Sequence, residues 1–145
     1  MKKEKILFKC KSHPKKLLKD HLFGVYKIGM NTFNSSLYKD DDIIKKCVSL
    51  VLLTHDFGKS TSYFQNFLES AILYEKGELD KDDFANIKYE IGEKKYHSQI
   101  SAFVCYFLLN KKLNVSEKFS FLAFYAIKRH HGHMQNFSNM FDFNP

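Results

Sequence analysis

Five stretches of this chain carry apolar residues three and four positions apart, and that spacing limits it to a packing of amphipathic helices. Leu17, Leu18, Leu22 and Val25 make the first stripe, and Ile43, Ile44, Cys47, Val48, Val51 and Leu52 the second. Phe64, Phe67, Leu68, Ala71 and Ile72 make the third, Ile100, Phe103, Val104, Phe107 and Leu108 the fourth, and Phe119, Leu122, Ala123 and Ala126 the fifth. Start signals agree. Pro14 suits a first helical turn, Asp40 to Asp42 suit the second helix, Ser60 or Thr61 can cap the third, and Ser116 the fifth. Asn31 to Tyr38 reads as a polar break, and Lys5 to Cys10 as a short strand or extended lead-in. Glu75 to Lys95, charged and weakly periodic with Gly77 and Gly92, is expected to be a flexible excursion or a small hairpin. No strand-glycine-helix phosphate loop is present, and strands do not alternate with helices. The expected fold is an all-α bundle of about five or more helices.

The length of 145 residues suits one domain with one core. With 44% hydrophobic and 27% charged residues, 15 Phe and 8 Tyr, the composition is globular rather than disordered. The formal charge is +7 and Arg129 is the sole arginine, so the basic surface is made of lysine. Mobile point charges suit a phosphate backbone better than the reading of base edges. Cys10, Cys47 and Cys105 form no CxxC pair, which argues against a disulfide framework or a cysteine zinc site and for a reducing cytoplasm. The longest apolar run, Cys47 to Leu53, is far too short for a membrane span, and the basic opening Met1 to Lys9 has too short an apolar run for a signal peptide.

Seven histidines occur, and four of them (His21, His55, His97 and His130) fall on or beside the apolar face of four different predicted helices. One such histidine is ordinarily a satisfied core residue. Four together need partners, and a shared metal supplies them. His55 and Asp56 are adjacent, so both reach one cation only near a helix end, which Gly58 provides. Mixed imidazole and carboxylate donors suit manganese, iron, cobalt or nickel better than magnesium, and a carboxylate can bridge two metals. His130, His131 and His133 add imidazoles at another helix C-terminus, where the dipole favours a cation and Gly132 turns the chain away. Lys59 is placed either to stabilise a phosphate or leaving oxygen or to stand as one more solvated lysine.

Lys11-Ser12-His13-Pro14, Leu18-Lys19-Asp20-His21-Leu22 and Leu53-Thr54-His55-Asp56-Phe57-Gly58-Lys59-Ser60 resemble the opening motifs of HD-superfamily metal phosphohydrolases. Three later motifs are more selective: Phe64-Gln65-Asn66-Phe67-Leu68, Tyr96-His97-Ser98-Gln99-Ile100-Ser101-Ala102, and Arg129-His130-His131-Gly132-His133. The ordered set, from about Lys11 to His133, resembles the HD nuclease domain of the CRISPR-associated type I nuclease-helicase.

The resemblance implies a helical HD-domain bundle with two transition metals. One would be held by His21, His55 and Asp56, and the other by Asp56, His97, His130 and His131, with Asp56 bridging and Lys59 nearby. It further implies cleavage of single-stranded DNA, fed by a superfamily 2 helicase, fused or separate, and recruited by the Cascade complex. Domains of this kind continue past the double histidine to a late aspartate on the first metal. Asp142 is the one acid after His131 and follows it too soon. The expected unit is therefore a single domain over 1–145, either cut short at its C-terminal end or degenerate at its site, and full activity of this chain does not follow from the resemblance. Rival readings are an HD phosphohydrolase acting on nucleotides or cyclic nucleotides, and a metal-stabilised remnant that binds without turnover.

Overall fold

The computed structural model describes residues 9–131. A two-stranded antiparallel hairpin opens it, β1 (Lys11–His13) pairing with β2 (Lys16–Leu17). Of the expected lead-in, residues 5–8 lie outside the described part, and the strand begins at Lys11 rather than ending at Cys10. Pro14 sits in the hairpin turn instead of a first helical turn. Its fixed φ serves a turn equally well, and the sequence alone does not separate the two uses.

Helix α1 (Leu18–Phe33) follows directly and runs three residues into the expected polar break. Buried Met30 and Phe33 hold that last turn to the body of the protein, so packing overrides the polar composition. The next helix, α2 (Asp42–Thr54), starts where Asp41 accepts hydrogen bonds from the Ile43 and Ile44 N–H groups, each at 2.9 Å. A 3-10 turn, Phe57–Ser60, then leads to α3 (Ser62–Glu75), capped by Thr61.

The excursion expected over 75–95 is instead largely helical. Helix α4 (Lys81–Ile91) begins at Asp80, whose carboxylate accepts from the Asp82 and Asp83 N–H groups at 2.8 Å. Phe84 stacks on Tyr74 of α3, centroids 4.8 Å apart at 9°, and lies 6.3 Å from Phe67. One aromatic anchor and a cap thus suffice where the charged surface hides the periodicity. Gly77 and Gly92, read as loop glycines, have positive φ at the ends of α3 and α4.

After a 3-10 turn, Gly92–Lys95, α5 (Ser98–Phe107) passes into a π-helical turn, Leu108–Lys112, and α6 (Glu117–Arg129) closes the bundle. Ser116 occupies the cap position of α6, but its side chain makes no capping bond. Gly132, expected to end that helix, lies outside the described residues, and α6 stops at Arg129.

The core is built from α5, α6 and the chain between them: Ala102, Cys105, Leu109, Val115, Ala123 and Ile127, with Cys47, Leu50 and Val51 of α2 against them. Ser101 and Ser120 are fully buried beside these small residues, which lets α5 and α6 approach closely. Burial pushes the Cys105 thiol up to about 11, in keeping with a packing role. The architecture is the expected all-α bundle with a small lead-in hairpin, and α4 is the helix the sequence concealed. Among the described residues no helix is long and apolar enough to cross a membrane.

Candidate metal centre

Asp56 follows immediately on the end of α2. The helix closes at Thr54 with His55 as its C-cap, and the 3-10 turn begins at Phe57, so His55 and Asp56 lie on a change of backbone direction. This frees two adjacent side chains to face one cleft, as a continuous helix would not. Asp56 is only 2% exposed.

Its two carboxylate oxygens face different partners. Oδ2 lies 2.9 Å from His21 Nε2, 3.6 Å from His55 Nε2 and 2.8 Å from Lys59 Nζ. Oδ1 lies 2.8 Å from His97 Nε2, 3.2 Å from His130 Nε2 and 3.9 Å from His131 Nε2. The imidazoles come from four places: α1, the end of α2, the residue before α5, and the end of α6. All six residues expected as ligands are brought together, in the two expected groups sharing Asp56. His133 and Asp142 lie outside the described residues.

The donor set fits divalent cations. His55 Nδ1 is 3.0 Å from the Leu52 carbonyl, and His130 Nδ1 makes a short hydrogen bond to the Ile127 carbonyl. Asp56 favours the protonated form of His130, whose Nε2 donates to it, but the neutral ring of His55, with its Nδ1–H on Leu52, turns a bare Nε2 lone pair toward the carboxylate. Two acceptors then face each other, and a cation between them resolves the conflict. His21 Nε2 tells the same story: it is buried and 2.9 Å from Oδ2, yet their approach lies outside hydrogen-bond geometry. His97 Nε2 and His131 Nε2 stand 2.9 Å apart, a separation suited to two donors on one ion.

Electrostatics prepare the same outcome. Burial alone would raise the Asp56 carboxyl, but hydrogen bonds from His130, His97 and Lys59 outweigh it and hold the group far below the usual carboxylate range. Burial lowers His21 and His55 despite the attraction of Asp56, keeping both rings neutral and able to ligate. His131 is lowered by burial and by neighbouring His130 and His97. His130 is the exception: burial pulls it down, but Asp56 and the Ile127 carbonyl overcome this and raise it.

Lys59 is not a solvated lysine. It is 6% exposed and its ammonium pairs with Asp56 while lying 5.6 Å from the Phe64 ring centroid. Sequence reasoning placed Phe64 on an apolar stripe and quoted Gln65 and Ser101 within motifs, but assigned none of them a partner in the centre. Phe64 also meets the His97 ring edge-on at 5.4 Å. Gln65 donates to the Lys59 and Lys11 carbonyls and accepts from the Lys11 N–H, tying β1 to the 3-10 turn. Ser101 bridges the turn and His97. Its spacing of one helical turn from His97 was the available signal.

A family model, the HD domain of Cas3, matches residues 16–142. The chain belongs to the Cas3 HD domain family. That match spans all six clustered residues, and it makes this a Cas3-type HD domain of the CRISPR metal-dependent nuclease class, with divalent metal binding as its family chemistry. No curated protein and no solved structure matches the chain significantly.

Proposed function

We propose that this domain hydrolyses phosphodiester bonds of single-stranded DNA in type I CRISPR interference. The observation that carries the reading is one buried carboxylate whose two oxygens each face three nitrogen-bearing side chains. His21, His55 and Asp56 would hold one divalent ion, and Asp56, His97, His130 and His131 a second. Manganese, iron, cobalt and nickel suit these donors better than magnesium. Such ions supply an activated water and neutralise charge on a phosphoryl group.

The protein's own groups do the rest. Asp56 stays ionised at every working pH and fixes the spacing of the two halves. The Leu52 and Ile127 carbonyls orient His55 and His130 so that their Nε2 atoms face inward. Lys59 balances the charge of Asp56 and holds a cation where a phosphate oxygen would arrive. A superfamily 2 helicase, fused or separate, would deliver the strand after recruitment by Cascade, in the cytoplasm.

The test is incubation of manganese-, cobalt- or nickel-loaded protein with single-stranded DNA, duplex DNA, and free and cyclic nucleotides. Preferential cleavage of the single strand is expected. Turnover of nucleotides alone would establish the phosphohydrolase reading instead. Metal binding with no turnover of any substrate would establish the non-catalytic one.

A further inference from the structure

The chain's positive charge is not spread evenly. Residues 9–19 hold five lysines, Lys9, Lys11, Lys15, Lys16 and Lys19, and no carboxylate, against +7 for the whole chain. From residue 20 to 110 acids outnumber lysines, and the other basic stretch, Lys111 to Arg129, spreads five cations and Glu117 along a π-helical turn and a whole helix rather than a short hairpin. The excess falls on the hairpin, whose register fixes where its side chains go. Ser12 is buried, and Lys11 and His13 alternate with it on the exposed face of β1. Lys16 is the cross-strand partner of His13 next to an irregularity in the register between Lys11 and His13, and it is exposed as they are, whereas Leu17 turns partly inward.

This face borders the metal centre. The His13 ring meets the His21 ring edge-on with centroids 5.5 Å apart, and Gln65 fastens Lys11 to the turn bearing Lys59. Beyond the hairpin lies a cavity of about 540 Å³, lined in part by Lys9, Lys11, Lys76 and Gln65 over Leu68 and Ile72. We infer that the outer face of the hairpin is a phosphate-binding rim, which seats the backbone of a single nucleic-acid strand beside His21. This rests on the nuclease reading for its ligand and adds the surface that receives it. Lysine point charges on a short, exposed strand face grip phosphates without reading sequence.

The experiment compares two triple variants of the full chain that remove equal charge. One is Lys11→Gln with Lys15→Gln and Lys16→Gln. The other is Lys45→Gln with Lys46→Gln and Lys118→Gln, exposed lysines placed about 13 Å or more along their helices from His55 and His130. Binding of a short fluorescent single-stranded DNA is measured against salt, without added divalent metal. The hairpin variant is expected to bind at least about tenfold more weakly at low salt, with a log–log salt slope shallower by about two. The distal variant is expected to keep the parent slope. The matching Lys→Arg triple on the hairpin should bind like the parent, which separates lost charge from lost structure.

Equal loss in the two glutamine variants, with a parent that binds and cuts, overturns the rim and leaves the nuclease reading standing. A parent that binds through the hairpin but never cuts does the reverse. A parent that neither binds nor cuts overturns both.

Discussion

The hydroxyl of Ser101 accepts the Gly58 N–H at 2.9 Å and donates to the His97 carbonyl at 2.9 Å, joining the turn after Asp56 to the start of α5. Ser101 is fully buried, and a Cβ on Gly58 would stand 2.3 Å from the His97 carbonyl oxygen. Only glycine lets the two backbones lie this close. Gly58→Ala is therefore expected to destabilise the protein by about 1–3 kcal/mol and to displace His97. Ser101→Ala leaves the Gly58 N–H buried without an acceptor, at a cost of about 1–3 kcal/mol. Chemical denaturation measures both. Isothermal titration with cobalt should show the His97-side ion weakened more than the His21-side ion.

Asp56 is the counter-ion of a buried lysine as well as the shared carboxylate of the histidine cluster. Asp56→Ala strands the Lys59 ammonium and is expected to lower stability by about 3–5 kcal/mol in the metal-free protein. Adding Lys59→Met should restore much of that loss while metal binding stays absent. A thermal-denaturation double-mutant cycle reads the coupling, and additive losses would refute the pairing.

Acidification should weaken the metal-free fold well above the range of ordinary carboxylates. His21 and His55 are lowered by burial, so near pH 6.5 the unfolded chain binds more protons than the folded one. Their effect is to reduce stability as pH falls through about 6.5. His130 is raised and acts oppositely: its contribution is full below about 6.5 and is lost as pH rises through its folded value. Asp56, held low, loses its contribution only well below about pH 4. With His131 also lowered, three groups act against one, and the melting temperature is expected to decline from about pH 7.5 to 5.5. Protons and cations compete for the same nitrogens, so metal affinity should fall over the same interval.

Loading with manganese or cobalt should raise the melting temperature, and chelation should reverse it. At a free metal concentration about a hundredfold above Kd the gain is about 2.7 kcal/mol. His21→Ala and His97→Ala are each expected to lose one of two bound equivalents by elemental analysis, and loss of both from either variant would refute two separable sites.

The helices that carry the centre were legible because each has an apolar stripe with a histidine on it or at its end, and His55-Asp56-Phe57-Gly58 announces a helix end. Helix α4 was not. Its outward face mixes charged residues with exposed Ala85, Asn86 and Tyr89, and its existence rests on the Asp80 cap and on Phe84 finding Tyr74, a partner in another helix. Asp80→Ala should accordingly cost about 1 kcal/mol in denaturation. The burial of Lys59 was equally hidden, because a lysine two residues past Phe57 reads as surface until the fold places Phe64 and Asp56 around it. Pro14 misled for a simpler reason: a turn and a helix start ask the same φ of it.

The nitrogen donors around Asp56 are drawn from residue 21 through to residue 131, so the cluster has no local precursor anywhere along the chain. A ribosome-bound fragment lacking the last turn of α6 and the residues after it would possess His21, His55, Asp56 and His97 but not His130 and His131, which complete the opposing half. Whatever reactivity the assembled pocket confers is thus withheld until synthesis has passed His131 and the bundle has shut, a safeguard supplied by connectivity alone.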